Sequence, residues 1–353
     1  MGSLTPSRAD QGLGAGYHSP QVDVAVRLNT NESPYPPPRA WVEALAEAVT
    51  GIDFHRYPDR GATALRAGLA ELHGVRPEQV FAANGSNEVL QILLLAYGGP
   101  GRTAAVFEPT YALHSHIARL TGTAVVTGRR SPEFTVDLGE VGRVLAGHAP
   151  AVTFLCSPNN PTGRADPPEV VAEVLDLAPG LVVVDEAYGQ FAPWSAVGLV
   201  GDDLGLAVVR TYSKTWSMAA ARLGYLVGPA PLVAELEARA LPYHLDAVKQ
   251  AAGCLALRFR AEMEARVTAV AAERDRLAAA LDRLAVQTWS SDANFILFRP
   301  LSRPAAEVWQ GLLERSVLVR DCSSWPGLAG CLRVTVGTPD EDDAFLTALE
   351  EVL

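Results

Sequence analysis

The sequence predicts an α/β protein with a mostly parallel sheet, helices on both faces of that sheet, and a smaller α+β domain towards the C-terminus. The first observation is a series of short apolar runs with room for helices between most of them, a rhythm typical of parallel sheets. The second is a change of pattern near residue 244, after which a long helix with a charged outer face precedes further strands and a closing helix. The apolar runs are 104–107, 123–126, 151–155, 181–185 and 206–209.

The chain has 353 residues, of which 48% are hydrophobic, and this is enough to bury a large core in two domains. Residues 1–30 are rich in Gly, Ser and Pro, so we expect an arm that packs over another element. A large domain is expected over residues 31–243. A small C-terminal domain is expected over residues 244–353.

Ahead of the apolar runs, helical spacing predicts one helix from Arg39 and a second that carries Leu65, Leu69 and Leu72 on one face. A strand over 80–83 then leads through the loop Asn84-Gly-Ser-Asn-Glu88 into an apolar helix. Free backbone N–H groups and the positive dipole end at the start of such a helix favour a bound phosphate.

The predicted C-terminal domain begins with a helix over about 261–284 and closes with a helix that starts at Asp340. Between them we expect three strands, because short apolar and β-branched runs recur there. The three runs are 294–298, 317–320 and 332–336.

Composition excludes several classes of protein. The formal net charge is −11 and no block of basic residues occurs, which argues against a nucleic-acid surface. No apolar run reaches the roughly 18 residues of a membrane span, and the N-terminus lacks the pattern of a signal peptide. The four cysteines have no paired spacing and are expected to be reduced thiols of a cytoplasmic protein. His114 and His116 lack a third ligand, so we expect no metal and a structural role for them.

Lys214 is one of only two lysines among 29 basic residues, the other being Lys249. A desolvated lysine can lose its proton and attack a carbonyl, whereas a guanidinium cannot. Hydroxyl and small residues surround Lys214, and Arg222 follows at a distance that suits an anion clamp. We therefore expect Lys214 to act as a nucleophile, the alternative being an ordinary surface lysine.

Asn160, Asp185 and Lys214 all follow predicted strands, and open α/β sheets bind their ligands at that end. A buried aspartate can hold a proton on a ring nitrogen, and an asparagine with a tyrosine can bind a ring hydroxyl. Together with the lysine and the loop at 84–88, these groups describe a site for a pyridine cofactor that bears an aldehyde and a phosphate.

At this point the sequence resembles the fold-type I pyridoxal-phosphate aminotransferases and, within them, the histidinol-phosphate aminotransferases. The resemblance runs from Tyr17 to the closing helix. Its motifs occur in family order: Leu28–Glu32, Arg56–Asp59, Gly85–Glu88, Pro158–Gly163, Asp185–Tyr188, Ser213–Lys214 and Leu332–Gly337. Ser33 and the stretch Thr215–Met218 depart from the usual family pattern and touch the lining of the expected site.

The resemblance implies a pyridoxal 5'-phosphate site. By this resemblance Lys214 would form the Schiff base and act as general acid and base, while Asp185 would pair with the pyridinium nitrogen. Asn160 and Tyr188 would bind the ring hydroxyl, and Tyr111 would stack on the ring. The residues expected to hold the phosphate are Ser86, Asn87, Thr211, Ser213 and Arg222, joined by Tyr57 of the neighbouring subunit in a homodimer.

The resemblance also implies the substrates. Arg333 would grip a substrate carboxylate or its equivalent end, and Arg320 with Tyr17 would face a distal phosphate, although by sequence alone each arginine could be an ordinary ion-paired one. The implied reaction converts histidinol phosphate and 2-oxoglutarate to imidazole acetol phosphate and glutamate, in histidine biosynthesis. There are two alternatives: an aromatic amino acid aminotransferase, and a lyase similar to threonine-phosphate decarboxylase. The segment 320–328 also resembles the threonine-phosphate decarboxylases.

Overall fold

A computed structural model describes residues 20–353, so Tyr17 lies outside the described residues. Two sheets, one of seven strands and one of five, organise this part of the chain. The strands are β1 (Val26–Leu28), β2 (Val80–Ala83), β3 (Thr103–Glu108), β4 (Ala124–Arg129), β5 (Val152–Cys156), β6 (Leu181–Asp185), β7 (Leu206–Thr211), β8 (Gly224–Val227), β9 (Val286–Thr288), β10 (Phe295–Pro300), β11 (Val317–Asp321) and β12 (Leu332–Thr335).

The helices fall where the sequence leaves room between strands. They are α1 (Arg39–Thr50), α2 (Thr63–His73), α3 (Ser86–Tyr97), α4 (Ala112–Leu120), α5 (Leu138–His148), α6 (Pro168–Leu177), α7 (Ala230–Arg239), α8 (Ala247–Leu257), α9 (Arg260–Leu281), α10 (Ala305–Glu314) and α11 (Pro339–Val352). Among residues 20–353 no helix is both long enough and apolar enough to cross a membrane.

The seven-stranded sheet has the order β2-β8-β7-β6-β5-β3-β4. All its pairs are parallel except those of β8, which runs antiparallel to both β2 and β7. Its strands are apolar on both faces, since Val182 and Val184 of β6 belong to one hydrophobic core and Val183 to another. A mostly parallel sheet covered on both faces is therefore confirmed.

The five-stranded sheet has the order β1-β11-β12-β10-β9, and α9, α10 and α11 supply much of the core beside it. β1 comes from the predicted N-terminal arm and pairs in parallel with β11. The core of the large sheet reaches Leu245, Ala252 and Met263, so α8 and the start of α9 pack on the large sheet. The division into residues 1–30, 31–243 and 244–353 stays a prediction.

Candidate active site

A cavity of about 210 Å³ lies at the carboxyl ends of β5, β6 and β7, below the segment that links β1 to α1. It brings together most of the side chains that the sequence singles out. Those lining it are Ser86, Asn87, Tyr111, Asn160, Asp185, Tyr188, Thr211, Ser213, Lys214, Arg222 and Arg333. Thr30, Asn31, Cys156 and Ala187 complete the lining, and sequence reasoning gave none of these a role.

Lys214 follows the end of β7, and its side chain is half-buried. Its Nζ donates a hydrogen bond to the backbone carbonyl of Thr30 at 2.9 Å and lies 5.6 Å from the centroid of the Tyr188 ring. Burial, and then the nearby Arg333 cation, lower the pKa of the Lys214 amine from 10.5 to about 7. A large share of this amine is therefore neutral near pH 7, which is the state that attacks a carbonyl.

Asp185 is the last residue of β6 and is 1% exposed. One carboxylate oxygen, Oδ1, accepts the backbone N–H of Ala187 at 3.0 Å, and the other, Oδ2, lies 2.9 Å from Nε2 of His114. His114 is fully buried and stacks on Phe154, with 4.7 Å between ring centroids. The expected structural role of His114 therefore includes orienting Asp185, a contact that its spacing with His116 did not reveal.

The start of α3, at Gly85 and Ser86, forms a polar cradle that suits a phosphate. Gly85 has φ +84°, and a Cβ atom there would lie 2.9 Å from the Arg222 guanidinium. A Cβ atom on Gly224 would lie 2.3 Å from the backbone nitrogen of Ser86, so only glycine lets β8 approach this loop. The free N–H groups at the helix start suit an anion.

Hydroxyl groups and a cation face this cradle from the loop after β7. Ser213 Oγ accepts from Nη1 of Arg222 at 3.1 Å and from the Thr211 hydroxyl at 3.0 Å. On the other side, the hydroxyl of Tyr111 donates to Oδ1 of Asn87 at 3.3 Å. Donors from three separate elements thus converge on one end of the cavity.

Arg333 lies on β12 and is 3% exposed. Its guanidinium donates to Oδ1 of Asn160 and, at 2.9 Å, to the backbone carbonyl of Asn29. Arg320 is directly opposite it on β11, 8% exposed, with its guanidinium 5.7 Å from the centroid of the Trp325 ring. Arg333 lines the cavity, whereas Arg320 is not among the lining residues. Two buried cations on neighbouring strands make this edge attractive to anions.

Tyr57 does not lie at the cavity of its own chain. It is 80% exposed and stacks on Tyr243, with 4.5 Å between the ring centroids. Its expected approach to a neighbouring subunit stays a prediction. Tyr17, expected near the substrate phosphate, lies outside residues 20–353.

The residues between β1 and α1 are the main addition to the predicted site. Thr30 accepts the bond from Lys214, and Nδ2 of Asn31 donates to the hydroxyl of Tyr188 at 2.9 Å. Both belong to the motif Leu28–Glu32, which sequence analysis identified without assigning a function to its members. The motif therefore marked this segment as important, but the contacts of Thr30 and Asn31 depend on how the chain folds and could not be predicted from the motif.

The site combines a lysine amine whose pKa is lowered to about 7, a buried carboxylate and an anion cradle, all at the end of a mostly parallel sheet. These features define an enzyme that forms a covalent bond to a carbonyl compound. The family model for aminotransferase class I and II matches residues 23–349, and the chain belongs to that family. The expected resemblance, the fold class and the aminotransferase activity are thereby confirmed.

Named relatives agree with the family. The chain is 48% identical, over 353 residues, to a histidinol-phosphate aminotransferase of Frankia casuarinae, covering 96% of this chain and 87% of the relative. It is 47% identical to one of Streptomyces avermitilis, over 95% of this chain and 93% of the relative. The solved structure of a histidinol-phosphate aminotransferase from Sinorhizobium meliloti with pyridoxal-5'-phosphate has TM-score 0.86 and 22% identity, covering 93% of this chain and 90% of that one, so it shares the fold.

Proposed function

We propose that this aminotransferase uses pyridoxal 5'-phosphate to convert histidinol phosphate and 2-oxoglutarate to imidazole acetol phosphate and glutamate, in histidine biosynthesis. The observation that carries the proposal is the convergence of Lys214, Asp185 and the cradle at α3 on one cavity. The names of relatives 47% and 48% identical to the chain support the choice of substrate.

The residues present fit the cofactor. The cradle at Ser86, with the hydroxyls of Thr211 and Ser213 and the Arg222 cation, would hold its phosphate. Asp185 would hold a proton on the ring nitrogen, because it is buried and already oriented by two donors. When bound, pyridoxal phosphate supplies an aldehyde for Lys214 and a ring that accepts electrons from the carbon that loses its proton.

The remaining side chains position the reacting groups and move protons. Lys214, with its pKa lowered to about 7, can accept a proton at Nζ and return it, as a general base and acid must. Tyr111 would cover one face of the ring and keep water away. Asn160 and Tyr188 would donate to the ring oxygen, and Arg333 must then rearrange from Asn160 to grip a substrate carboxylate.

Arg320 and Arg333 support the choice of an anionic substrate. A guanidinium binds a phosphate or a carboxylate through paired hydrogen bonds. The two arginines are opposite one another on β11 and β12. Together they can bind the two carboxylates of 2-oxoglutarate, or the phosphate at one end of a phosphorylated amine. We infer that Arg333 serves one end of either substrate and that Arg320 serves the phosphate or the distal carboxylate.

We also infer a homodimer with shared active sites. Three large apolar side chains are exposed in neighbouring loops, Phe54 at 68%, Tyr57 at 80% and Leu241 at 78%. Such a group of exposed apolar side chains is typical of an interface. A second copy covering it would carry Tyr57 towards its partner's cradle. The cytoplasmic location of this dimer stays a prediction.

The decisive experiment follows the visible absorption of the cofactor-loaded protein as histidinol phosphate and then 2-oxoglutarate are added. The amine should remove the absorption of the lysine-bound cofactor, and the keto acid should restore it with release of glutamate. Lys214→Arg should lose the absorption and turnover, whereas Lys249→Arg, at the only other lysine, should keep both. Release of carbon dioxide from threonine phosphate without any keto acid would instead identify a lyase, and a preference for phenylalanine would identify an aromatic aminotransferase.

A further inference from the structure

Asn31 lies between the small sheet and Tyr188, and the proposed function assigns it no part. The residue is 1% exposed, and its backbone has φ +55°, a left-handed conformation that asparagine adopts more readily than most residues. Nδ2 of this side chain donates to the hydroxyl of Tyr188 at 2.9 Å. A buried amide in an uncommon backbone conformation, aimed at a residue of the cavity, suggests a specific task.

The orientation of the Asn31 amide is fixed by Thr335 on β12. The Thr335 hydroxyl accepts the backbone N–H of Asn31 at 2.9 Å and donates its own hydrogen to Oδ1 of Asn31 at 3.1 Å. With Oδ1 engaged as an acceptor, the NH₂ group must face Tyr188. The small sheet therefore determines which group Tyr188 meets.

An amide N–H can only donate, so the phenol oxygen of Tyr188 is the acceptor in this bond and its own hydrogen is left for another acceptor. Tyr188 lines the cavity and is 4% exposed. Burial raises the pKa of the Tyr188 hydroxyl well above its ordinary value of 10, so the hydroxyl keeps that hydrogen. The direction left to it is towards the cavity.

We propose that Asn31 is a positioning residue that directs the hydroxyl hydrogen of Tyr188 towards the ring oxygen of the cofactor. The inference rests on the proposed function, because it needs pyridoxal phosphate in this cavity. Since hydrogen bonds in a chain strengthen one another, the amide also makes the phenol a better donor.

The same segment holds the nucleophile. The carbonyl of Thr30 accepts the Lys214 amine at 2.9 Å, so consecutive residues contact Lys214 and Tyr188. The segment is tied to the small sheet on both sides of these contacts, by the Arg333 bond to the Asn29 carbonyl and by the Thr335 bonds to Asn31. The small sheet thus sets the geometry of two groups that belong to the large one.

Asn31→Gly tests the proposal, because glycine suits φ +55° and removes only the amide. The measurement is the pH at which the visible absorption of the lysine-bound cofactor changes. With a weaker phenol donor, more negative charge stays on the ring oxygen and the lysine nitrogen beside it keeps its proton to higher pH. We expect the midpoint to rise by about 0.5 to 1 pH unit, the range that the loss of one hydrogen bond allows.

A double-mutant cycle separates positioning from a general structural loss. In a Tyr188→Phe background, Asn31→Gly should leave the midpoint where Tyr188→Phe alone puts it. Asn294→Ala removes the 3.3 Å bonds to the carbonyls of Asn31 and Glu32 but leaves the Asn31 side chain bonded to Tyr188, and it should leave the wild-type midpoint unchanged. Equal shifts in the presence and absence of the Tyr188 hydroxyl would overturn the proposal.

Asn31→Asp provides a second variant of nearly the same shape, in case the glycine variant does not fold. Its carboxylate accepts the hydroxyl hydrogen and draws it away from the cavity, so the midpoint should rise at least as far. A normal midpoint in both variants overturns the role of Asn31 and leaves the proposed function intact. Absence of any visible absorption in the loaded wild type overturns the proposed function itself.

Discussion

Nε2 of His114 lies 2.9 Å from Oδ2 of Asp185, and both side chains are closed to solvent. The imidazole of His114 stacks flat against the ring of Phe154. It meets the ring of Tyr111 edge-on, with 5.3 Å between the centroids of the His114 and Tyr111 rings. Tyr111 and His114 lie three residues apart, on one side of the first turn of α4. One helix start therefore supplies both an aromatic wall of the cavity and a support for the carboxylate beneath it.

His114→Phe is expected to lower kcat/KM about 10- to 100-fold, because Asp185 loses a donor, and a hydrogen bond to a charged group is worth about 1.5–3 kcal/mol. The phenyl ring keeps most of the packing against Phe154, so the protein should still fold, with a lower Tm because the buried Asp185 carboxylate has lost a partner. The matched control is His116→Phe on the same helix, where the imidazole is half-buried and does not contact Asp185. Equal losses in the two variants would show that the helix, and not the bond, was disturbed.

The site residues at strand ends could be predicted from the sequence, because a strand end is marked locally by an apolar run followed by polar residues. One apolar run ends at Asp185 and another ends shortly before Lys214. From these patterns alone, both polar residues can be assigned to strand ends at the edge of the sheet, even when the fold is unknown. The bond between His114 and Asp185 joins residues 71 positions apart, and that between Asn31 and Tyr188 joins residues 157 apart. Such contacts depend on how separate elements pack, which periodicity does not report.

Three of the secondary-structure elements that the sequence analysis did not specify are β8, α8 and α10, and each was missed for a different reason. β8 runs antiparallel in a mostly parallel sheet and follows β7 without an intervening α-helix, so the alternation of strands and helices did not indicate it. α8 has four alanines and one glycine among its eleven residues and lacks a strong apolar face. For α10 the signal was present, since Ala305, Val308 and Leu312 recur at helical spacing and are buried.

The lowered pKa of Lys214 predicts how the cofactor-free protein responds to pH. The pKa is about 7 in the folded state against 10.5 ordinarily, so the unfolded chain binds more protons between these values. Stability therefore rises with pH across that window, and the cost of burying the amine is greatest below pH 7. Lys214→Met, which removes this cost, should raise the Tm of the cofactor-free protein most at about pH 6 and progressively less towards pH 10.

Lys249→Met is the control for this measurement. Lys249 donates to Asp246 at 2.7 Å on the surface of α8, away from the cavity. Its removal should not reproduce the pH-dependent gain in Tm. A gain for Lys214→Met that is the same at every pH would mean that Lys214 remains charged in the folded protein.

Arg320→Ala is expected to lower kcat/KM for histidinol phosphate by roughly thirty- to more than a hundredfold, since a charge-assisted contact in a partly dry site is worth about 2–3 kcal/mol. Phenylalanine, which has no phosphate, should be affected much less. An equal loss for both substrates would remove Arg320 from phosphate recognition.

Arg299 on β10 offers a matched control for Arg320. Its guanidinium lies 5.3 Å from the centroid of the Trp289 ring, much as that of Arg320 lies 5.7 Å from the centroid of Trp325. Arg299→Ala therefore removes a similar cation–π contact from the same sheet, yet it does not touch the cavity. We expect the ratio of kcat/KM values for histidinol phosphate and phenylalanine to stay at its wild-type value.

The exposed stack of Tyr57 on Tyr243 leads to a prediction about subunits. If Tyr57 completes the cradle of a partner, Tyr57→Ala and Lys214→Ala chains are each inactive as homodimers but complement one another. In a mixed dimer, the chain that keeps Lys214 receives an intact Tyr57 from the other chain, so one of the dimer's two sites is whole.

Equal amounts of the two variants, unfolded and refolded together, should recover about one quarter of wild-type activity, because half of the randomly assembled dimers are mixed and each has one whole site. The same chains refolded separately and then combined without exchange are the control, and they should stay inactive. Recovery in that control, or full activity of a monomer in sedimentation, would show that each chain completes its own site.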